Sequence, residues 1–228
     1  MEGICMISNG TMLILVFMVL IGIMAPVLLA VIWKVKTREP FSTILIGAVI
    51  FFVFAILLET LPKLVLFQDN NPVGAAVMSN TWFYMAIAAL LAGIFEETGR
   101  LVAFRFLLKN RKERKTAISY GIGHGGFEVI WILGLGGIQY LSYAVMINSG
   151  QFDTLVSRTA ASAPAQLEAL KAIPAALEQM TIFSLMLSVL ERVSAVLIHI
   201  SCSLIMFRAV REKGKMWLYP LAILLHAW

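Results

Sequence analysis

Three stretches of this sequence place acids and imidazoles inside runs that are otherwise apolar. In "GIFEETGRLVAF" (Gly93 to Phe104), Glu96 and Glu97 are adjacent and Arg100 follows within about one helical turn. In "YGIGHGGFE", His124 precedes Glu128 by four residues, and in "ERVSAVLIHISCS" His199 precedes Ser203 by the same spacing. The third histidine, His226, lies in "LLHAW". An ionised side chain at the centre of a membrane helix costs roughly 2.5–3.5 kcal/mol, so such residues are kept for a reason. Their shared chemistry is proton transfer and ligation. A carboxylate takes a proton from water, an imidazole relays a proton or binds a metal, and a hydroxyl donates to a developing oxyanion. Two adjacent carboxylates cannot both ionise cheaply away from water, so one of Glu96 and Glu97 is expected to hold and exchange a proton.

Spacing within each stretch adds local expectations. Glu96 and Arg100 share one helical face, so the cation can compensate that carboxylate. Glu128 is placed to orient the His124 imidazole, and Ser203 presents a hydroxyl beside His199. The glycines around His124 and in "GLGG" have no side-chain bulk, so neighbouring helices can approach closely there.

The elements that must carry these residues are membrane helices. The 228-residue chain is 60% hydrophobic and 14% charged, more apolar than a soluble domain can hide, so the fold class is an all-α polytopic transmembrane helix bundle. A span needs about 20 apolar residues. Runs of that length fall near 12–33, 43–66, 81–108, 117–147 and 180–207, and a sixth, 216–228, reads as a span cut short. No soluble domain is expected, and the whole chain reads as one integral membrane domain. Between spans four and five, residues 148–179 form a connector whose "PAQLEALKAIPAALEQM" suggests one or two short amphipathic helices at the surface.

Basic residues set the orientation. Lys34, Lys36 and Arg38 follow the first span. The run Lys109, Arg111, Lys112, Arg114 and Lys115 follows the third, and Arg208, Arg211, Lys213 and Lys215 follow the fifth. The positive-inside rule puts these loops in the cytoplasm, with the N-terminus and the 148–179 connector outside. The net charge of +5 follows this topology and implies no nucleic-acid partner. At ~1.5 Å rise per residue, Glu96/Glu97, His124, His199 and His226 all lie about 13–20 Å from the cytoplasmic charges. Four helices thus deliver acids and imidazoles to one layer in the cytoplasmic half of the bilayer, and convergence on a shared pocket is the expected arrangement.

Other polar residues read as structural. Glu191 and Arg192 form a local pair, and Glu59, Pro62 and Lys63 mark the end of span two, with Lys63 snorkelling to the interface. Cys5 and Cys202 form no CxxC framework, so neither a disulfide nor a thiolate metal site is expected.

Taken together, "EETGR", "YGIGHGGFE" and "ERVSAVLIHISCS" resemble the YhfC-type intramembrane metalloproteases. These are relatives of type II CAAX-prenyl endopeptidases, bacteriocin-processing (CPBP) proteases, PrsW and APH-1. The resemblance runs from Trp82 to Trp228 and rests on Glu96-Glu97-Thr98-Gly99-Arg100, on Tyr120 to His124, and on His199 to Ser203. It implies a hydrolase that cuts a membrane-associated peptide or protein substrate in a bacterial plasma membrane, in contact with lipid. It also implies that Glu96, with His124, activates the attacking water. His199 and Ser203 would stabilise the oxyanion or help hold a metal, and Glu97 and Arg100 would orient the first carboxylate. The metal would be Zn2+, held by His124, His199 and His226 with Glu96. The arginine stands one residue earlier than in the CAAX-protease pattern, which leaves the base open between Glu96 and Glu97. Ser203 stands where many relatives have asparagine. A metal-free Glu/His pair is the other mechanism these residues permit, because no HExxH motif is present. Three other functions use the same belt: a non-catalytic scaffold like APH-1, a proton-coupled transporter, and a cytochrome with His124 and His199 on haem.

Overall fold

A computed structural model of the chain describes residues 6–68 and 70–228. Cys5 lies outside the described residues. Among the described residues, four helices are long and apolar enough to cross a membrane: Asn9–Thr37, Phe41–Leu66, Arg114–Asn148 and Ile182–Arg211. A fifth crossing is available if the bent pair Pro72–Met78 and Thr81–Leu107 counts as one. The last helix, Leu218–Ala227, is apolar and short. No strand occurs among the described residues, so the all-α membrane architecture expected from hydropathy is the one found.

In chain order the α-helical segments are α1 (Asn9–Thr37), α2 (Phe41–Phe51), α3 (Thr60–Leu66), α4 (Pro72–Met78), α5 (Thr81–Val102) and α6 (Arg114–Val129). They continue with α7 (Gly136–Asn148), α8 (Phe152–Ser162), α9 (Leu167–Lys171), α10 (Ile173–Glu178), α11 (Ile182–Arg211) and α12 (Leu218–Ala227). Three π-helical stretches interrupt the long helices, at Phe52–Leu58, Ala103–Leu107 and Ile130–Leu135. Asparagine caps divide the bent pair. Asn71 accepts from Gly74 N at 2.8 Å, with Pro72 in the first turn, and Asn80 accepts from Trp82 N at 2.9 Å. Each cap satisfies donors that a helix start leaves open. The chain therefore turns by 108° between these two helices. The connector forms three short helices, α8 to α10, with a 3₁₀ turn at Pro164–Gln166, one helix more than its amphipathic pattern suggests.

The chain divides into two compact units. One comprises residues up to Ala25 together with Val129–Arg192. Its core is apolar, built from Ile7, Leu15, Ala144, Ile147, Phe152, Leu170 and Leu177. Asn148 fastens the start of the described chain, accepting from Ile7 N at 2.7 Å and donating to Ile7 O at 3.0 Å.

The other unit comprises Pro26–Glu128 and Val193–Trp228. Its largest core cluster includes Ile50, Phe104, Leu108, Tyr120, Met206, Phe207 and Ala222. Hydrogen bonds tie its helices at several levels. Trp33 donates to Ser119 Oγ at 2.7 Å, Thr116 to Glu39 at 2.7 Å, and Arg211 to the Leu108 carbonyl at 2.7 Å. Glycines then let backbones meet. A Cβ on Gly123 would collide with the Ile44 backbone, and one on Gly121 would lie 2.7 Å from Ile200 Cα. Helix α6 is thereby pressed against α2 on one side and α11 on the other, as small residues permit in membranes.

Candidate functional site

All the sequence-selected residues fall in this second unit, and most of their side chains meet there. Helix α5 carries Glu96, Glu97 and Arg100, α6 carries Tyr120, His124 and Glu128, α11 carries His199 and Ser203, and α12 carries His226. The short Gly93 side of α5 faces Ile223 of α12, so α12 can lie close enough for His226 to reach the acids.

Glu96 Oε2 is the centre of the cluster. His124 Nε2 lies 2.7 Å from it, His226 Nε2 at 3.6 Å and His199 Nδ1 at 3.8 Å. Three imidazoles from three helices thus face one carboxylate oxygen. The rings also touch each other, with centroids 4.8 Å apart for His124 and His199 and 5.2 Å for His199 and His226. Phe51 stands edge-on to His124 at 5.1 Å.

Behind this inner group, other side chains fix the rings. His226 Nδ1 donates to Glu97 Oε1 at 2.8 Å, and His199 Nε2 donates to Glu128 Oε2. Such carboxylate backing sets the tautomer and leaves the opposite nitrogen's lone pair for other work. For His226 that lone pair faces Glu96. For His199 it accepts from Arg100 at 3.1 Å. The Tyr120 hydroxyl lies 3.4 Å from His124 Nδ1. Arg100 is fully buried and ion-paired with Glu97, which is fully buried too. Each offsets the other's desolvation, and loss of one would leave an uncompensated charge.

Several pairings differ from those the spacing suggested. Arg100 pairs with Glu97, three residues away, rather than with Glu96. Glu128 holds His199 on another helix rather than His124 on its own, because Gly121 and Gly125 bring α6 against α11 at that level. Ser203 donates to the backbone carbonyl of His199 at 2.6 Å, one turn back in its own helix. Glu191 and Arg192, in the other unit, form the local pair expected of them.

Two residues join the surroundings without having been selected. Cys202 lies with Glu97 and His226 in a group whose donor atoms are all within 4.8 Å of one another. Glu59, read from the sequence as a helix-end residue, is 3% exposed. An acid inside an apolar run was the available signal for Glu59; its proximity to the end of span two masked it.

The donor set suits a metal ion. Glu96, His124 and His199 offer one ligand atom each, all within 4.8 Å of one another, His199 by exchanging its Arg100 contact for the ion. His226 Nε2 and Glu96 Oε2 lie 3.6 Å apart, too far for a good hydrogen bond. Ligands held about 2.0–2.2 Å from one tetrahedral ion are separated by a similar distance, roughly 3.4 Å.

An apolar helical chain with a buried acid–imidazole cluster is an integral membrane protein with the makings of an enzyme. Comparison with known proteins narrows this. The family model described as YhfC intramembrane metalloprotease matches residues 17–228, and the chain belongs to that family. It is 35% identical over 222 residues to the uncharacterized membrane protein YhfC of Bacillus subtilis (strain 168). That similarity covers 97% of this chain and 83% of the relative. No solved structure matches.

Proposed function

We propose that the protein is an intramembrane metalloendopeptidase that hydrolyses a peptide bond at Glu96, with His124, His199 and His226 as the ion-holding group. The observation that carries this reading is the approach of three imidazole nitrogens to one carboxylate oxygen, all within 4 Å. The family's description supports the reaction class.

Peptide hydrolysis adds water oxygen to the carbonyl carbon, breaks the C–N bond and returns a proton to the leaving nitrogen. Glu96 accepts the proton from the attacking water and is placed to return it to that nitrogen. His124, whose Nε2 lies 2.7 Å from Glu96 Oε2, keeps that carboxylate oriented toward the imidazoles. Glu97 and Glu128 keep His226 and His199 in fixed tautomers, and Arg100 pairs with Glu97 and fixes its position. Zn2+ is the favoured ion for this nitrogen and carboxylate set, and when bound it would polarise the carbonyl and bring the pKa of a bound water toward ~7. The arrangement favours Glu96 over Glu97 as base, since Glu97 is engaged by Arg100 and His226. Ser203 is left a supporting role in α11. The charge pattern supports a site in the cytoplasmic half of a bacterial plasma membrane, with the N-terminus outside.

The test is elemental analysis and cleavage of a membrane-tethered peptide with full-length protein in lipid nanodiscs. Wild type is expected to carry zinc and cut the peptide, while Glu96→Gln and His124→Ala lose cleavage by about a thousandfold or more. Both variants should keep the wild-type helical content. Cleavage retained in both variants, or a haem Soret band in the purified protein, would overturn the reading.

A further inference from the structure

The second span runs along the cluster and brings one more acid to it. Phe51 meets His124, and Phe54 occupies the place where a Cβ on Gly99 would come within 2.7 Å. Between Phe52 and Leu58 the helix is π-helical, and the Glu59 N–H bonds back to Phe54 O at 3.0 Å. A π-helical stretch puts an extra residue into the turn and rotates whatever follows it; such stretches are frequent at functional sites. Here Glu59 follows, turned inward until its side chain is 4% exposed. Counted from the Phe54–Gly99 contact at ~1.5 Å per residue, Glu59 and Glu96 lie within about one turn of the same level. Glu59 is within electrostatic reach of both Glu96 and His226.

The other end of this acid reaches outward. Lys63 Nζ lies 2.5 Å from Glu59 Oε1, and the Lys63 side chain is 37% exposed. It stands in the last turn of α3, near a loop carrying Gln68, Asn70 and Asn71, where a lysine can snorkel to the polar boundary. The inner donors are closed off by contrast, from fully buried at His124 to 10% exposed at His226. A doubly charged ion cannot cross that apolar shell unless acids hold it on the way.

We propose that Glu59 is the entry ligand through which a divalent cation reaches Glu96 and His226, with the Lys63 ammonium as the barrier at the mouth of the route. This rests on the metal-binding reading above. In the structure Lys63 occupies the carboxylate that an incoming ion would need. The ion displaces the ammonium, which swings to water, and Lys63 returns to Glu59 once the ion has moved inward. Glu59 and Lys63 therefore set the rate of loading and release. Final occupancy is set by the inner donors.

The experiment follows Zn2+ uptake by metal-stripped protein in lipid nanodiscs, using stopped-flow competition with a zinc-sensitive dye. Elemental analysis of the end state gives the stoichiometry. Glu59→Gln should slow loading about tenfold, equivalent to ~1.4 kcal/mol on the entry barrier. Lys63→Met should speed loading, and both variants should reach wild-type stoichiometry. Opposite signs separate an entry route from general destabilisation. Loading rates indifferent to both substitutions would overturn the proposal, as would lost stoichiometry in Glu59→Gln, which would make Glu59 a site ligand. If Glu59→Gln does not fold, Lys63→Met decides alone, and an unchanged rate sinks the route. Failure of the wild type to take up zinc removes the metal reading and this route with it. Normal uptake insensitive to both variants removes the route only.

Discussion

The two units of this chain are made from similar apolar material and differ in what they bury. Among the described residues, the unit containing Val129–Arg192 buries one polar residue, Thr11, beneath a core of Leu15, Ile147, Phe152 and Leu177. Two cavities in it, of about 200 and 460 Å³, are lined by neutral side chains such as Met18, Tyr140 and Gln166. The unit containing Pro26–Glu128 buries Glu39, Glu59, Glu96, Glu97, Arg100, His124 and His199. Hydrophobic burial is tolerant of detail, whereas buried charge is stable only when each group meets a specific partner. Sequence change should therefore be tolerated more readily in the apolar unit than in the acid-rich one.

Three substitutions test that contrast, beyond the loss of cleavage expected at Glu96. The largest stability effect belongs to Arg100→Met, which leaves Glu97 buried without its cation. Breaking such a pair costs about 3–5 kcal/mol, so thermal unfolding followed by intrinsic fluorescence should show a much lower midpoint. A midpoint near wild type would mean that the acid-rich unit does not depend on its pairing. Next comes Leu177→Ala in the apolar unit, where truncating a fully buried leucine costs about 2–4 kcal/mol. Zinc content per folded chain should stay at the wild-type value, and a fall would erase the distinction drawn between the two units. The smallest effect is expected from Ser203→Ala. Among the described residues its hydroxyl bonds only a carbonyl of its own helix, so the change should be about 1 kcal/mol or less, with cleavage rates near wild type. A large loss of cleavage there would bring Ser203 back into the chemistry.

Hydropathy made the spans legible to within a few residues, because the length of an apolar run is set by the bilayer. Counting from the basic loops put Glu96, His124, His199 and His226 at one level of their helices, and the structure brings all four side chains together. The pairings were not legible. Spacing on one helix favours Glu96 with Arg100 and His124 with Glu128, yet α11 and α12 compete for the same acids once glycines let the helices close in. Glu59 was hidden for another reason. Its inward turn depends on π-helical hydrogen bonding over Phe52–Leu58, which an apolar stretch does not announce. The short helix α4 was also unforeseen, although Asn71-Pro72 carries the cap signal that starts it.

The chain has three histidines, and the cluster uses all of them. Isotope-labelled imidazole would therefore give spectra in which every resonance comes from this one spot, with no background from the rest of the protein. The same economy warns against a polyhistidine purification tag, which would contribute more imidazoles than the fold itself and compete for whatever ion is being counted.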